Sequence, residues 1–362
     1  MEKGKTIIVG IVMFFVGVIG TYLIIYFTSE KEPQTIINKQ EKEVTVTDLG
    51  IADSVEKIYD AVVVVEVHLQ ERVIGFGTGF FYKKTKDKAF LLTNYHVVSK
   101  GDKIRIILTN GETVDAKVLG SDQYNDVAVL TTDAKYAEKV AEIGNSEKVR
   151  LGDTVFTVGA PLNNIYSGSV TRGIISGKDR MIEVNTTGSF WGSDYIMRVI
   201  QTDASINSGN SGGPLSNSNG EVIGITSSKL MATGVEGMGF AIPIEDAIEF
   251  ANIIEKDGKL VRPSLGIGGF EVNKLRFYSG DIKVDPNLRT GIVISAVNEG
   301  SNAKKAGLEI GDVIIKIDDN VIETMPSLKY YLYKNKVGDS PVFKINRNGK
   351  EMDIPVKLYE EK

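Results

Sequence analysis

The sequence predicts a mainly β protein, with one membrane-spanning helix ahead of it and a small α+β domain behind. Short β-type runs separated by turn residues recur from Val62 to Thr226, the spacing of β-barrels or a sandwich. Helix-type periodicity is scarce before Ile244–Glu255, and glycine is abundant at 38 residues. Ile7 to Phe27 carries no charge over a length that crosses a bilayer as a helix.

The apolar run is flanked by Lys3 and Lys5 before it and by Glu30 and Glu32 after it. The positive flank stays in the cytoplasm, so residues 1–6 are expected inside and the rest of the chain outside, a single pass through the cytoplasmic (inner) membrane. A cleaved signal peptide is the alternative. The run exceeds a usual signal h-region, and Thr21-Tyr22-Leu23-Ile24 offers no small-x-small cleavage site. Residues 28–48 are polar and read as a flexible linker. Ser54–Tyr59 reads as a short helix. The β-type runs are Val62–Leu69, Gly77–Tyr82, Ala89–Thr93, Lys103–Leu108, Thr113–Gly120, Val127–Thr131, Thr154–Gly159, Ser167–Ile175, Arg198–Thr202, Gly213–Ser216 and Val222–Thr226. The helix at Ile244–Glu255 closes this domain, expected over residues 49–256. Asp257-Gly258 and Arg262-Pro263 mark a boundary. The last domain, expected over 259–358, alternates strands (Gly291–Val297, Val313–Ile317, Val342–Ile345, Glu351–Val356) with helices at Asn302–Ala306 and Ser327–Tyr333.

Composition narrows the function. The chain has 362 residues, 42% of them hydrophobic, enough for two or three cores. A net charge of −5 with no basic cluster gives no reason to expect a nucleic-acid partner. Cysteine is absent, which excludes thiolate catalysis, disulfides and Cys-zinc sites. No cofactor or metal is expected.

The chemistry rests on Gly209-Asn210-Ser211-Gly212-Gly213-Pro214. A serine hydroxyl is a poor nucleophile at neutral pH. It needs a base within hydrogen-bond reach, an acid to orient that base, and backbone N–H groups aimed at the developing oxyanion. Glycines permit the backbone angles that turn several N–H groups into one concavity. By analogy with known serine sites, the oxyanion hole would involve Gly209, Asn210 and Ser211, with the donors from Gly209 and Ser211 and Asn210 between them. The chain has only two histidines. His96 ends a strand-like run and enters a loop, where it can face a cleft as general base. His68 shares its side of a strand with Glu66 and Gln70 and reads as a solvated strand residue. Among 47 acids, Asp126 opens an apolar strand and fits the orienting carboxylate. Asp122, Asp133 and Asp203 read as turn or surface acids, although Asp203 is close in sequence to the nucleophile loop.

The order His96, Asp126, Ser211 is the chymotrypsin-type order. The wording around each resembles the HtrA/Deg family of serine proteases: Gly75-Phe76-Gly77-Thr78-Gly79-Phe80, Leu92-Thr93-Asn94-Tyr95-His96-Val97-Val98, Asn125-Asp126-Val127-Ala128-Val129-Leu130, Gln201-Thr202-Asp203-Ala204-Ser205-Ile206-Asn207, Gly209 to Leu215, and Gly239-Phe240-Ala241-Ile242-Pro243. The C-terminal part resembles a PDZ domain, through Ser264-Leu265-Gly266-Ile267 and Ala303 to Ile314. The resemblance implies a chymotrypsin-like double β-barrel protease domain followed by an α+β PDZ domain, in the one-span, one-protease, one-PDZ layout of DegS-like members.

The resemblance further implies an ATP-independent serine endopeptidase of protein quality control or stress response. Its partners would be unfolded or regulatory protein substrates outside the cytoplasm. C-terminal peptides would dock on the amides of Leu265, Gly266 and Ile267 as an added strand. It also implies a homotrimer, for which the sequence offers only apolar Ile58-Tyr59 and Ala61–Val65, equally suited to a core. Ile206, Thr226, Ser227, Ser228 and Leu230 are expected to form the substrate pocket, with cleavage after small or medium aliphatic residues. Segments 176–197 and 226–238 are expected to be regulatory loops, with Arg180 as a candidate anchor of the active state. Three positions depart from the family pattern: Thr78, Ser208 and Ser264, the last where an aromatic is common. The alternative function is a chaperone-like or peptide-binding scaffold with a weakly active protease domain.

Overall fold

The computed structural model describes residues 2–28, 51–160, 167–185, 193–230, 237–278, 280 and 282–360. Helix α1 (Glu2–Thr28) forms one unit by itself, and its apolar stretch Ile7–Phe27 is long enough to cross a membrane. The expected linker at 28–48 lies, from residue 29 on, outside the described residues.

The second unit is Leu49–Lys362. It opens with α2 (Ile51–Tyr59) and a closed barrel of β1 (Val62–Leu69), β2 (Arg72–Lys84), β3 (Lys88–Thr93), β4 (Lys103–Ile107), β5 (Thr113–Asp122) and β6 (Val127–Asp133). The one-turn helix α3 (Tyr95–Val98) follows β3. The second closed barrel comprises β7 (Thr154–Gly159), β8 (Ser169–Val184), β9 (Tyr195–Thr202), β10 (Pro214–Asn217), β11 (Val222–Thr226) and β12 (Gly239–Pro243).

Strand alternation sends successive side chains to opposite faces. Phe81, Leu91 and Leu130 fill the first barrel, whereas their neighbours Phe80, Leu92 and Val129 join Phe156 and Val158 in a separate core between the barrels. Val155, Ile175, Ile200 and Leu215 fill the second barrel. Ile58, Ala61, Val62, Val63 and Val65 are buried in these cores and Val64 is buried beside them, whereas Tyr59 is exposed. Helix α4 (Ile244–Asp257) lays Ile244, Ala247, Phe250, Ala251 and Ile254 on the inter-barrel core, the spacing of one helical face. It stops at Gly258, whose φ of 72° suits glycine and whose N–H caps the Ile254 carbonyl.

The last domain is a six-stranded sheet: β13 (Ile267–Glu271), β14 (Ile292–Val297), β15 (Val313–Ile317), β16 (Asn320–Val321), β17 (Val342–Arg347) and β18 (Lys350–Pro355). Two helices pack on it, α5 (Asn302–Ala306) and α6 (Met325–Tyr333). Thr324 and Ser327 cap α6 reciprocally, and Glu271 accepts the Met325 N–H at 3.3 Å.

Strand content exceeds the sequence expectation, at β13 and β16 and in the β8–β9 hairpin among other places. β8 runs on to Val184 and β9 starts at Tyr195, so much of the expected loop 176–197 is a hairpin, with 186–192 outside the described residues. Arg180 therefore sits on strand β8, exposed and paired opposite Val199, rather than in a loop. His68 is also not solvated. It is 6% exposed, with Nε2 2.5 Å from Glu66 Oε1, because β1 lies between β2 and β4.

Candidate active site

Asp126 is placed by a tight turn between β5 and β6. Its φ of 52° is unusual for a non-glycine residue. Asp122 holds that turn by accepting the Asn125 N–H at 2.7 Å. The Asp126 carbonyl accepts from Asn94 Nδ2 at 2.9 Å and from the Tyr95 N–H at 3.1 Å, which pins the start of α3 to the turn. His96, on α3, then faces Asp126. Its Nδ1 lies 2.8 Å from Oδ2 and 3.0 Å from Oδ1, and its backbone N–H donates to Oδ1 at 3.0 Å. Ser227, at the end of β11, donates to Oδ2 at 3.0 Å. The carboxylate is wholly buried with donors from three groups, the arrangement that keeps a buried charge tolerable. Burial, and then the Asp126 charge, push the neighbouring Tyr195 phenol above its ordinary range.

Ser211 comes from the second barrel, in the segment between β9 and β10. Thr78 of β2 clamps that segment across the seam. Its hydroxyl donates to the Gly209 carbonyl at 2.6 Å, and its N–H donates to the Ser211 carbonyl at 2.8 Å. The approach is so close that a Cβ on Gly212 would lie 2.1 Å from the Thr78 carbonyl oxygen, and one on Gly213 2.8 Å from that of Val158. Glycine is required at both positions, and Gly212 also has a φ of 86°.

The five N–H groups of 209–213 divide cleanly. Asn210 donates to the Asn207 carbonyl at 3.0 Å, Gly212 to Thr226 at 2.9 Å and Gly213 to Asn210 at 2.9 Å. Among the described residues, the N–H groups of Gly209 and Ser211 have no acceptor. They are the two available to an incoming oxyanion. The Asn210 N–H is already engaged, so Asn210 is not itself a free donor there.

Ser211 is hydrogen-bonded to Ser228. Its hydroxyl accepts the Ser228 N–H at 2.9 Å and lies 2.6 Å from the Ser228 hydroxyl; among the described residues no hydrogen bond joins it to His96. Of the other expected pocket residues, Thr226 turns its hydroxyl inward to the Asn210 and Gly213 carbonyls. Ile206 and Leu230 are buried apolar residues at 2% and 8% exposure. Asp203 is a structural acid: its Oδ1 accepts the Ile174 N–H at 2.7 Å. Among the described residues no cluster of His, Asp or Glu converges to hold a metal ion. Sequence reasoning did not single out Thr78 and Asn94 as scaffolding, although both lie within the motifs that flank the site.

In the last domain, Leu265 is a core residue, Ile267 opens β13, and the Gly266 N–H donates to the Ser264 hydroxyl at 3.1 Å. The domain meets the peptidase through α6 and the segment before β13. Arg262 makes a paired contact with the Asp122 carboxylate, its Nε to Oδ1 at 3.0 Å, and its guanidinium lies 5.2 and 4.7 Å from the Tyr124 and Tyr333 ring centres. Tyr124 and Tyr333 meet edge to face at 4.8 Å.

Comparison with known proteins agrees with these two parts. A trypsin-like peptidase domain matches residues 77–225, and a PDZ domain matches 263–358. The class is therefore a double-barrel serine endopeptidase carrying one PDZ domain. The chain is 43% identical to the serine protease Do-like HtrA of Lactobacillus helveticus over 287 residues, 78% of this chain and 68% of that protein. It is 40% identical to the serine protease Do-like HtrA of Bacillus subtilis (strain 168) over 291 residues, 79% of this chain and 64% of that protein. Among solved structures it resembles a serine endoprotease from Yersinia pestis, with 28% identity and a TM-score of 0.64 over 86% of this chain and 98% of that one. It also resembles the HtrA-type protease AlgW with a decapeptide, at 26% identity and a TM-score of 0.66 over 87% of this chain and 99% of that one. The chain belongs to the HtrA/Do-like family of serine proteases.

Proposed function

We propose that Ser211 is the nucleophile of this endopeptidase, His96 its general base and Asp126 the acid that orients His96, with the N–H groups of Gly209 and Ser211 as the oxyanion hole. The observation that carries this reading is the His96–Asp126 pair. With Asp126 accepting the Nδ1 proton, Nε2 is left as the basic nitrogen, the one a base needs. Ser211 would attack a peptide carbonyl carbon while its proton passes to Nε2. The pair of electrons displaced onto oxygen would be held by the two free N–H groups. The imidazolium would then protonate the leaving amine, and water would release the acyl group by the same steps in reverse.

The proposal extends to location and control. Helix α1 would anchor the chain in the cytoplasmic membrane with the peptidase outside, where its substrates would be misfolded or regulatory proteins. A homotrimer is part of the proposal. PDZ control is supported by the Arg262 joint. A C-terminal peptide added to β13 would press on α6, and Tyr333 of α6 contacts Arg262 and Tyr124 on the turn that ends at Asp126. The scaffold alternative predicts peptide binding without turnover.

The experiment is cleavage of unfolded casein by the full-length chain in detergent, with and without peptides ending in a free carboxylate, beside Ser211→Ala. Cleavage that peptides stimulate and Ser211→Ala abolishes supports the whole proposal. Binding of peptides with no cleavage by the wild type refutes it.

A further inference from the structure

The hydroxyl of Ser211 is held by a residue whose type no catalytic requirement explains. Ser228 gives Ser211 Oγ its backbone N–H at 2.9 Å and sets its own hydroxyl 2.6 Å away. A serine oxygen has one proton and two lone pairs. The Ser228 amide engages one lone pair. If Ser211 donates its proton to Ser228, that proton is engaged there and is not offered to His96. If Ser228 donates instead, the second lone pair is engaged and none is left to attack a carbonyl carbon. Either way, a bond to Ser228 must open before Ser211 can react.

The neighbouring residue shows where that opening can occur. Ser227 is fully buried and fixed, with its hydroxyl on Asp126 at 3.0 Å and its N–H on the Phe240 carbonyl at 3.0 Å. Ser228 is the first residue past this anchor. It leaves β11 and begins the single 3₁₀ turn Ser228–Leu230. Small rotations there move the Ser228 hydroxyl without disturbing the Asp126 contact.

We infer that Ser228 is a positioning residue that latches Ser211 in an unreactive orientation, and that substrate engagement has to open this latch before attack; the inference rests on Ser211 being the nucleophile. In the productive step the Ser211 Oγ–carbon bond forms, the carbonyl π pair moves to oxygen, and the hydroxyl proton passes to His96 Nε2. The latched state withholds either that proton or that lone pair. Alanine at 228 removes the hydroxyl half of the latch and leaves the amide half, whereas threonine keeps both.

The test uses the full-length chain in detergent, with two readouts: the rate of Ser211 phosphonylation by a fluorophosphonate, and kcat and KM on a quenched peptide with an aliphatic residue before the scissile bond. Ser228→Ala is expected to raise the labelling rate and kcat about five-fold with KM little changed, as removal of one neutral hydrogen bond from the resting state predicts. Ser228→Thr is expected to reverse most of that rise. Loss of packing alone would lower both rates and would not be reversed by threonine. Ser228→Ala rates at or below those of the wild type overturn the latch. Ser211→Ala, run in parallel, separates the two levels. Labelling that persists there overturns the nucleophile assignment and the latch with it. Labelling lost there, with Ser228→Ala no faster than wild type, overturns the latch alone.

Discussion

Replacing Asp126 by asparagine changes one atom of the site and should cost most of the activity. Asp126 now accepts from the His96 N–H, the His96 Nδ1–H and the Ser227 hydroxyl. Asparagine offers one oxygen and one NH₂ group to those same partners. The His96 backbone N–H cannot rotate and needs the oxygen. The NH₂ group then faces Nδ1 and Ser227. Nδ1 must become the acceptor, which moves the ring proton to Nε2, the nitrogen that has to receive a proton from Ser211. The shape is preserved and the tautomer is wrong. In triads of this geometry that change lowers kcat about ten-thousand-fold, on the order of 5 kcal/mol of barrier. The assay is kcat on a quenched peptide, with the thermal midpoint measured alongside. Asp126→Asn is expected to melt within a few degrees of the wild type, since the residue keeps its volume and most of its hydrogen bonds. A kcat within ten-fold of the wild type would refute the argument, because Asp126 would then not be setting the tautomer of His96.

Two further predictions concern the frame around the site. Gly212→Ala places a methyl group 2.1 Å from the Thr78 carbonyl oxygen and 2.2 Å from Thr93 Oγ1 at a φ of 86°, so the clamp between the barrels must break. The expected loss, read from urea unfolding, is more than about 3 kcal/mol; an unchanged midpoint would contradict it. Glu271 concerns pH. Burial acts to raise its carboxyl, but the bond from Lys274 and the backbone N–H groups outweigh burial and hold it below the ordinary glutamate range. Its stabilisation is therefore full at neutral pH and is lost as pH falls through that lowered value. Glu271→Gln should lower the thermal midpoint of the PDZ domain at pH 7, and the difference from wild type should shrink on acidification. A difference that grows toward low pH would reverse the sign of the argument.

Much of this was legible in the residues. Val62–Leu69, Thr154–Gly159, Val222–Thr226 and Asn302–Ala306 fold with the bounds their patterns predict, because the three strands are apolar runs buried on both faces and the helix is capped at both ends. The far half of β8 was not legible. Gly177-Lys178-Asp179-Arg180 carries no apolar side chain to impose a period of two and its pairing with β9 is interrupted by a register shift; the apolar residues that fix the hairpin, Ile182 and Val184, come only after it. β13 was hidden by Gly268-Gly269, which carry no strand preference and are held by β14. His68 misled for a related reason: polar neighbours at alternate positions suggest a solvated face, but β4 and β2 on either side close over it.

At the site, His96, Asp126 and Ser211 could be picked out from residue type, order and context. The partners of Ser211 could not. Nothing in Thr226-Ser227-Ser228 separates a hydroxyl that supports Asp126 from one that holds the nucleophile. That division depends on where β11 ends and the 3₁₀ turn begins. The accounting of N–H groups in 209–213 is likewise a property of the folded loop; the sequence pointed to Gly209 and Ser211 as donors only by analogy with known serine sites.

In the proposed mechanism Ser211 carries the reacting oxygen and His96 activates it. The most direct test is mass-spectrometric mapping of the adduct after the full-length chain is treated with a fluorophosphonate. The account predicts a single modified peptide, with the phosphonyl group on Ser211, and loss of labelling in His96→Ala. A fold-intact wild type that takes up no label, or one labelled at another serine, would contradict it.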